Sequence, residues 1–240
     1  MFAFERQACR ESGYVVACSE ADAKLMSESF GITQISHVPT GVNLGFFARP
    51  PAAAPITSQP DFCFIGSMDW FPNQQAVFWF STEILPLIRK RRPQATFAVV
   101  GRIPLPAIIE LAAKDSLISV TGTVPDVRPW FWESAVSVVP LLAGGGTRLK
   151  IYEAMAAKVP VVSTTIGAEG LDYDAGEDIR IADTPESFAA HCLDLITNPR
   201  ERHRQAESAW ENVNARFSWE NASRKLDAIL QKAPRLAGAS

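Results

Sequence analysis

The chain has 240 residues, 47% of them apolar and 20% charged, the balance of a soluble globular protein with room for one large domain or one domain plus a fragment. Its formal net charge of −3 and pI near 5.7 argue against a nucleic-acid binder, which needs clustered Lys and Arg to neutralise phosphates. No apolar run reaches the roughly 20 residues that cross a bilayer, and Met1–Arg6 lacks a basic segment followed by an apolar one, so it does not read as a secretory signal. The expected location is cytoplasmic, with a peripheral membrane association left open. Cys9, Cys18, Cys63 and Cys192 show no paired metal-ligand spacing. They read as small buried hydrophobes in a reducing compartment.

In chain order, Gly13–Cys18 reads as a buried strand, and Ser19 as the N-cap of a helix with early acids Glu20 and Asp22 that runs to about Ser29. Gln34–Val38 is a second short strand, closed by Pro39 and Gly41. Residues 48–60 hold four prolines and three successive alanines without periodicity, which predicts an interdomain linker. Beyond it, β-branched runs alternate with helical patterns. The strands are Asp61–Ile65, Thr96–Val100, Ile118–Val120, Ala135–Val139 and Pro160–Thr164. The helices are Asn73–Arg91, Pro106–Lys114, Val127–Glu133 and Thr147–Lys158. Strands apolar at successive positions, separated by helices, predict an α/β fold with a doubly wound, Rossmann-like parallel sheet. From Pro185 the pattern is helical, with a break at Asn198-Pro199 and a last helix near Trp219–Gln231.

Open α/β sheets take ligands beyond the carboxyl ends of their strands. There, after the strand ending near Val139, the chain reads Gly144-Gly-Gly-Thr-Arg-Leu-Lys-Ile-Tyr-Glu153. Gly144, Gly145 and Gly146 let the backbone approach a ligand closely, and they lead into a helix whose first amides lack partners. Thr147 is a candidate cap. Arg148 and Lys150 place positive charge where the helix dipole opposes it, a cost that a bound diphosphate would offset. Glu153, further along the helix, is placed to accept hydrogen bonds from ribose hydroxyls. A solvated loop before an ordinary helix is the plainer reading, but the order of strand, glycines, cations and carboxylate favours a phosphate site.

The stretch Gly144–Leu171, the motif Gly66-Ser-Met-Asp-Trp-Phe-Pro-Asn73, and Ser19-Glu-Ala-Asp22 followed by Val38-Pro-Thr-Gly-Val42 resemble the group 1 (family 4) retaining glycosyltransferases of the GT-B fold. The resemblance implies that a C-terminal domain binds a nucleotide-diphospho-sugar, a UDP- or GDP-sugar, while an N-terminal domain binds the acceptor. It implies no metal and no further cofactor. Of the family's two helix glutamates, the ribose-contacting one matches Glu153. The sugar-contacting one falls at Gly145. The Arg and Lys that often hold the diphosphate in the first loop fall at Ser67 and about Asn73, and Arg148 and Lys150 are candidates to replace them. Gly66, Ser67, Gly101 and Arg102 would then line the cleft, and the backbone of Thr123 and Val124 would read the base edge. For these turns, ordinary turn chemistry after a strand explains the residues as well. Glu169 in Gly167-Ala-Glu-Gly170 either faces the donor or is a solvated loop acid.

Against the family's two-domain plan, residues 1–47 read as a remnant of the acceptor domain, 48–60 as a linker, 61–216 as the donor-binding domain and 217–240 as a C-terminal helix and tail. No catalytic residue is assigned, since His37, His191 and His203 have no partner acid or nucleophile nearby in sequence. The run Arg89–Arg92 fits a helix C-terminus better than an anionic membrane surface, and Trp130-Phe-Trp132 fits a helix packed on the sheet. Two functions follow: the donor half of a retaining glycosyltransferase whose acceptor-binding domain is separate, or a nucleotide-sugar-binding module that transfers nothing itself. An epimerase of the same fold would need acid–base residues that are not apparent.

Overall fold

The computed structural model describes residues 2–53, 56 and 59–237, so Ala54, Pro55, Thr57 and Ser58 of the expected linker lie outside the described residues. The chain forms two compact units: the stretch up to Asn43 together with the chain from Ala215 onward, and Leu44–Asn214.

The smaller unit opens with α1 (Phe2–Glu11), β1 (Val15–Ala17), α2 (Glu20–Phe30) and β2 (Ile35–His37). As expected, Ser19 caps α2: its Oγ accepts the Asp22 amide at 3.0 Å. Gly31 ends the helix in the left-handed conformation (φ 69°) that glycine adopts without strain. β1 and β2 pair in parallel, Val16 against Ser36. Helix α1 was not expected, and no residue of it is buried.

The larger unit carries α3 (Leu44–Phe47), β3 (Phe62–Ile65), α4 (Phe71–Trp79), a π-helical segment (Phe80–Ile84), α5 (Leu85–Arg89), β4 (Phe97–Val100), α6 (Pro106–Lys114), β5 (Ile118–Val120), α7 (Arg128–Glu133), β6 (Val136–Val139), α8 (Leu149–Ala156), β7 (Val161–Ser163), β8 (Ile179–Ile181), α9 (Pro185–Thr197) and α10 (Pro199–Arg216). The chain then re-enters the smaller unit. Val42 N–H donates to Phe217 O at 2.8 Å, and α11 (Trp219–Ala237) follows. Among the described residues no helix is long and apolar enough to cross a membrane.

The strands of the larger unit form one parallel sheet in the order β5-β4-β3-β6-β7-β8. β3, β4, β6 and β7 are buried at every position, as strands covered on both faces must be. The fully buried Phe80 anchors the packing of helices on β3 and β4, its ring centroid 5.7 Å from Phe62, 4.5 Å from Phe97 and 6.1 Å from Phe188 of α9. Phe131 of α7 is fully buried too, and Trp132 Nε1 donates to Phe47 O at 2.8 Å.

Several expectations need correction. The helix expected over Asn73–Arg91 is interrupted by the π segment, where Leu85 N–H reaches back to Phe80 O. Pro86 supplies a reason: it has no N–H, and its ring would meet the carbonyl four residues back in a regular helix. A sixth strand, β8, lies at the sheet edge, and its Ile-Arg-Ile is too short for its alternation to stand out. Thr147 does not cap α8. The N-cap position is Arg148, with no side-chain capping bond, and the helix begins at Leu149. Of the cysteines, Cys63 and Cys192 are buried, but Cys9 is half-buried and Cys18 exposed.

Candidate functional site

The strand order reverses direction between β3 and β6, since β4 and β5 lie to one side and β7 and β8 to the other. At such a switch point the loops leaving the two central strands diverge and open a crevice at the carboxyl end of the sheet. The two loops here are Gly66–Trp70 after β3 and Pro140–Arg148 after β6. The glycine-rich segment therefore stands at the position where this topology makes a ligand crevice.

Lys150 bridges the two sides. From α8, its Nζ donates to Asn73 Oδ1 on α4 at 3.0 Å and sits 4.3 Å from the centroid of the Phe64 ring. Asn73, itself 3% exposed, donates through Nδ2 to Ser67 O at 2.7 Å. A side chain at Gly66 would put its Cβ 2.7 Å from Lys150 Nζ and 2.9 Å from Asn73 Nδ2, so only glycine leaves that space. Burial pushes the Lys150 amine down to about 7, opposed by Glu153, with Arg148 adding to the fall. Glu153 is half-buried, and burial holds its carboxyl above the usual range against the pull of Lys150.

Arg148 is only 5% exposed. One guanidinium nitrogen, Nη1, donates to Gly146 O. Nε and Nη2 are buried with no hydrogen-bond partner among the described residues. Burial lowers its pKa, and Glu169 on the β7 loop works the other way. The guanidinium carbon lies 5.7 Å from the centroid of the Trp70 ring. A Cβ at Gly144, where φ is +127°, would come within 2.8 Å of Arg148 Nη2 and 3.1 Å of Trp70 Cη2. Gly145 and Gly146 face open space, with no atom within 4 Å of a Cβ built there.

On the neighbouring strand, Gly101 fits against Gly66 so closely that a Cβ would stand 1.8 Å from Gly66 O. Arg102 is engaged at the surface: Nε donates to Ser67 Oγ at 2.8 Å, and Nη2 lies 3.3 Å from Asp69. The Ser67 hydroxyl, and then Arg102, hold the Asp69 carboxyl below its usual range. Thr123 and Val124 follow β5 at the same end of the sheet, exposed and half-buried respectively. Thr147 is half-buried and Glu169 exposed.

Lys150 thus lies with Asn73 and Gly66, and Arg148 with Gly144 and Trp70, while Glu153 acts on Lys150, and Glu169 on Arg148, through charge. Arg102 and Ser67 form a second cluster linked to the first by Asn73. Trp70 and Asn73 complete the arrangement, though sequence reasoning assigned a contact to neither. Both belong to the motif after β3, but nothing in its spacing says that it faces α8. Among the described residues no three metal-ligating side chains gather. A groove of about 620 Å³ at the opposite, amino end of the sheet is lined by residues including Trp132, Lys158, His203 and Trp210, and none of the expected donor contacts borders it.

Chemically, the crevice offers a buried cation with two unused donors, a second cation held ready by an amide, a carboxylate one turn up the helix and glycine backbone open to approach. That chemistry would suit a polyanion carrying hydroxyl groups.

The family described as "Glycosyl transferases group 1" matches residues 59–198. An uncharacterized 44.6 kDa protein in the cps region of Klebsiella pneumoniae is 25% identical over 142 residues, covering 56% of this chain and 37% of that protein. Among solved structures, a glycosyltransferase from Rickettsia africae superposes with a TM-score of 0.75 at 19% identity, over 95% of this chain and 64% of that one. Anabaena HepE in complex with UDP superposes at 0.76 with 15% identity, over 94% and 65%. The chain therefore spans less than two thirds of the length of each of these proteins. The fold is that of the GT-B glycosyltransferases, and with a family match over more than half its length, the chain belongs to the group 1 glycosyl transferases.

Proposed function

We propose that the larger unit is the donor half of a retaining glycosyltransferase, binding a UDP- or GDP-sugar in the crevice between β3 and β6. One observation carries this reading. Arg148 is a buried cation whose Nε and Nη2 have no partner among the described residues, and it stands at the N-cap of α8, where the helix dipole disfavours positive charge. An unpaired buried donor or charge costs stability, so the arrangement makes sense only with an anion present. Arg148 and Lys150 would hold the diphosphate and Glu153 the ribose. Gly66, Ser67, Gly101, Arg102 and Gly144–Gly146 would line the cleft, with Thr123 and Val124 at the base edge and Glu169 beside Arg148. Thr147 would offer its backbone amide rather than a cap. The UDP held by HepE, a protein of the same fold, supports the choice of ligand.

An acceptor-binding domain beyond these residues is part of the same proposal. Among the described residues the smaller unit offers a two-stranded parallel sheet, with Val16 40% exposed, whereas parallel sheets are ordinarily covered on both faces. A second reading, a nucleotide-sugar-binding module without transferase activity, is favoured by one residue: Gly145 stands where related enzymes place a sugar-contacting glutamate.

A thermal-shift screen against UDP, GDP, ADP and their common sugar conjugates tests the first reading. A ligand at about 100 times its Kd stabilises the fold by roughly 2.7 kcal/mol. Replacing both Arg148 and Lys150 with Ala should abolish the shift, and an unchanged affinity in that double variant, or no response to any nucleotide, would sink the assignment. Transfer of sugar to any acceptor by this chain would dispose of the binding-module reading.

A further inference from the structure

The loop after β3 carries a tryptophan that the diphosphate chemistry does not use. Trp70 is at the N-cap of α4 in an extended conformation, and its side chain makes no capping bond. The indole is 40% exposed. It borders both the arginine and the glycine loop: it lies 5.7 Å from the Arg148 guanidinium carbon, and its Cη2 and Cζ2 would be 3.1 and 3.4 Å from a Cβ at Gly144. Two of the three successive glycines face empty space, since nothing lies within 4 Å of a Cβ at Gly145 or Gly146. A side chain at Gly144 would fill the gap between the loop and the indole.

A sugar on a diphosphate is one bond from the terminal phosphate. With phosphate at Arg148, the nearest walls for that sugar are the Trp70 ring and the glycine backbone. No carboxylate is available from position 145. A hexose in the chair form presents a face of C–H groups, and an indole is a broad, rigid, apolar surface suited to cover it.

Resting on the donor-site reading above, we propose that Trp70 is the sugar-reading residue of this site, its exposed indole packing on the C–H face of the donor hexose. The same ring also touches Arg148, so its removal disturbs the phosphate contact as well. The two roles separate by ligand. Loss of the contact with Arg148 weakens the nucleoside diphosphate and its sugar conjugate alike, by about two- to fivefold for a cation–π contact at a partly exposed site. Loss of the sugar contact weakens only the conjugate, by about tenfold for an aromatic contact surface.

The experiment measures Kd by calorimetry for the full chain and its Trp70→Ala and Trp70→Phe variants, using UDP with UDP-glucose and GDP with GDP-mannose. Urea unfolding checks that each variant is folded. The readout is the ratio of conjugate Kd to diphosphate Kd within one nucleotide. Trp70→Ala should raise that ratio about tenfold, and Trp70→Phe, which keeps an aromatic face, should raise it far less. An equal loss for both ligands, or an unchanged ratio, overturns the role given to Trp70 while leaving the donor site standing. Failure of the unsubstituted chain to bind either member of both pairs overturns the donor site and this proposal together.

Discussion

Arg148, the proposed diphosphate ligand, carries a structural cost. With two buried nitrogens unpartnered, the unliganded protein bears a desolvation penalty that an isosteric apolar side chain would remove. Arg148→Met is therefore expected to stabilise the unliganded chain in urea by about 1 kcal/mol while lowering nucleotide affinity by at least tenfold. A destabilised Met variant would show that Arg148 serves the fold instead. Lys150 adds a pH dependence. Its amine is pushed down to about 7 in the fold, against about 10.4 in an unfolded chain. Between those values the unfolded chain holds a proton that the folded chain lacks, so this group makes the unliganded protein more stable as pH rises through that window. Below about 7 both states are protonated and the dependence ends. A diphosphate favours the charged amine, so binding near pH 8 should take up close to one proton, and affinity should fall as pH rises above about 7. Calorimetry in buffers of different ionisation enthalpy measures the uptake, and Lys150→Met should remove it. An enthalpy independent of buffer would show that Lys150 does not meet the ligand.

At the scale of elements, the crevice depends on two strands ending close together. Gly101 leaves no room for a methyl group, whose carbon would stand 1.8 Å from Gly66 O. Because the obstacle is backbone, Gly101→Ala must move one strand end, and a loss of about 2 to 4 kcal/mol is expected in urea unfolding. A variant as stable as the parent would mean that these loops yield freely. Phe80 is the corresponding point in the core. Truncating it to Ala removes ring contacts to Phe62, Phe97 and Phe188 at once and should cost about 3 to 5 kcal/mol by the same measurement. Much of the element pattern was legible in the sequence, since an apolar run such as Phe97–Val100 in the larger unit and a capped start such as Ser19 in the smaller one are local signals. The π segment was not. It answers to Pro86 and to the packing of Phe80 together, and a periodicity argument sees only the first.

At the scale of the molecule, the proposed donor site lies wholly within the unit Leu44–Asn214. Segment-resolved hydrogen exchange on the whole chain should then show nucleotide-dependent protection confined to that unit, strongest around residues 66–73 and 144–153, with residues 2–37 unchanged. Protection centred on the smaller unit would place the ligand elsewhere.

By itself the sequence determined the fold class and singled out the glycine-rich loop proposed for phosphate. Strand–helix alternation is set by local hydrophobic pattern, and Gly144–Glu153 is continuous in the chain. It also carried the family resemblance that the comparisons bear out. Which strands adjoin was decided only in three dimensions, because the order β4-β3-β6 depends on crossovers that leave no periodic trace. That order brings Asn73 and Trp70 of one loop against Lys150 and Arg148 of another, and pairs Gly66 with Gly101. Burial was decided there too. The arginine that the sequence marks as a candidate phosphate ligand is desolvated and half-satisfied in the fold, and its want of a partner among the described residues is what points to an anion.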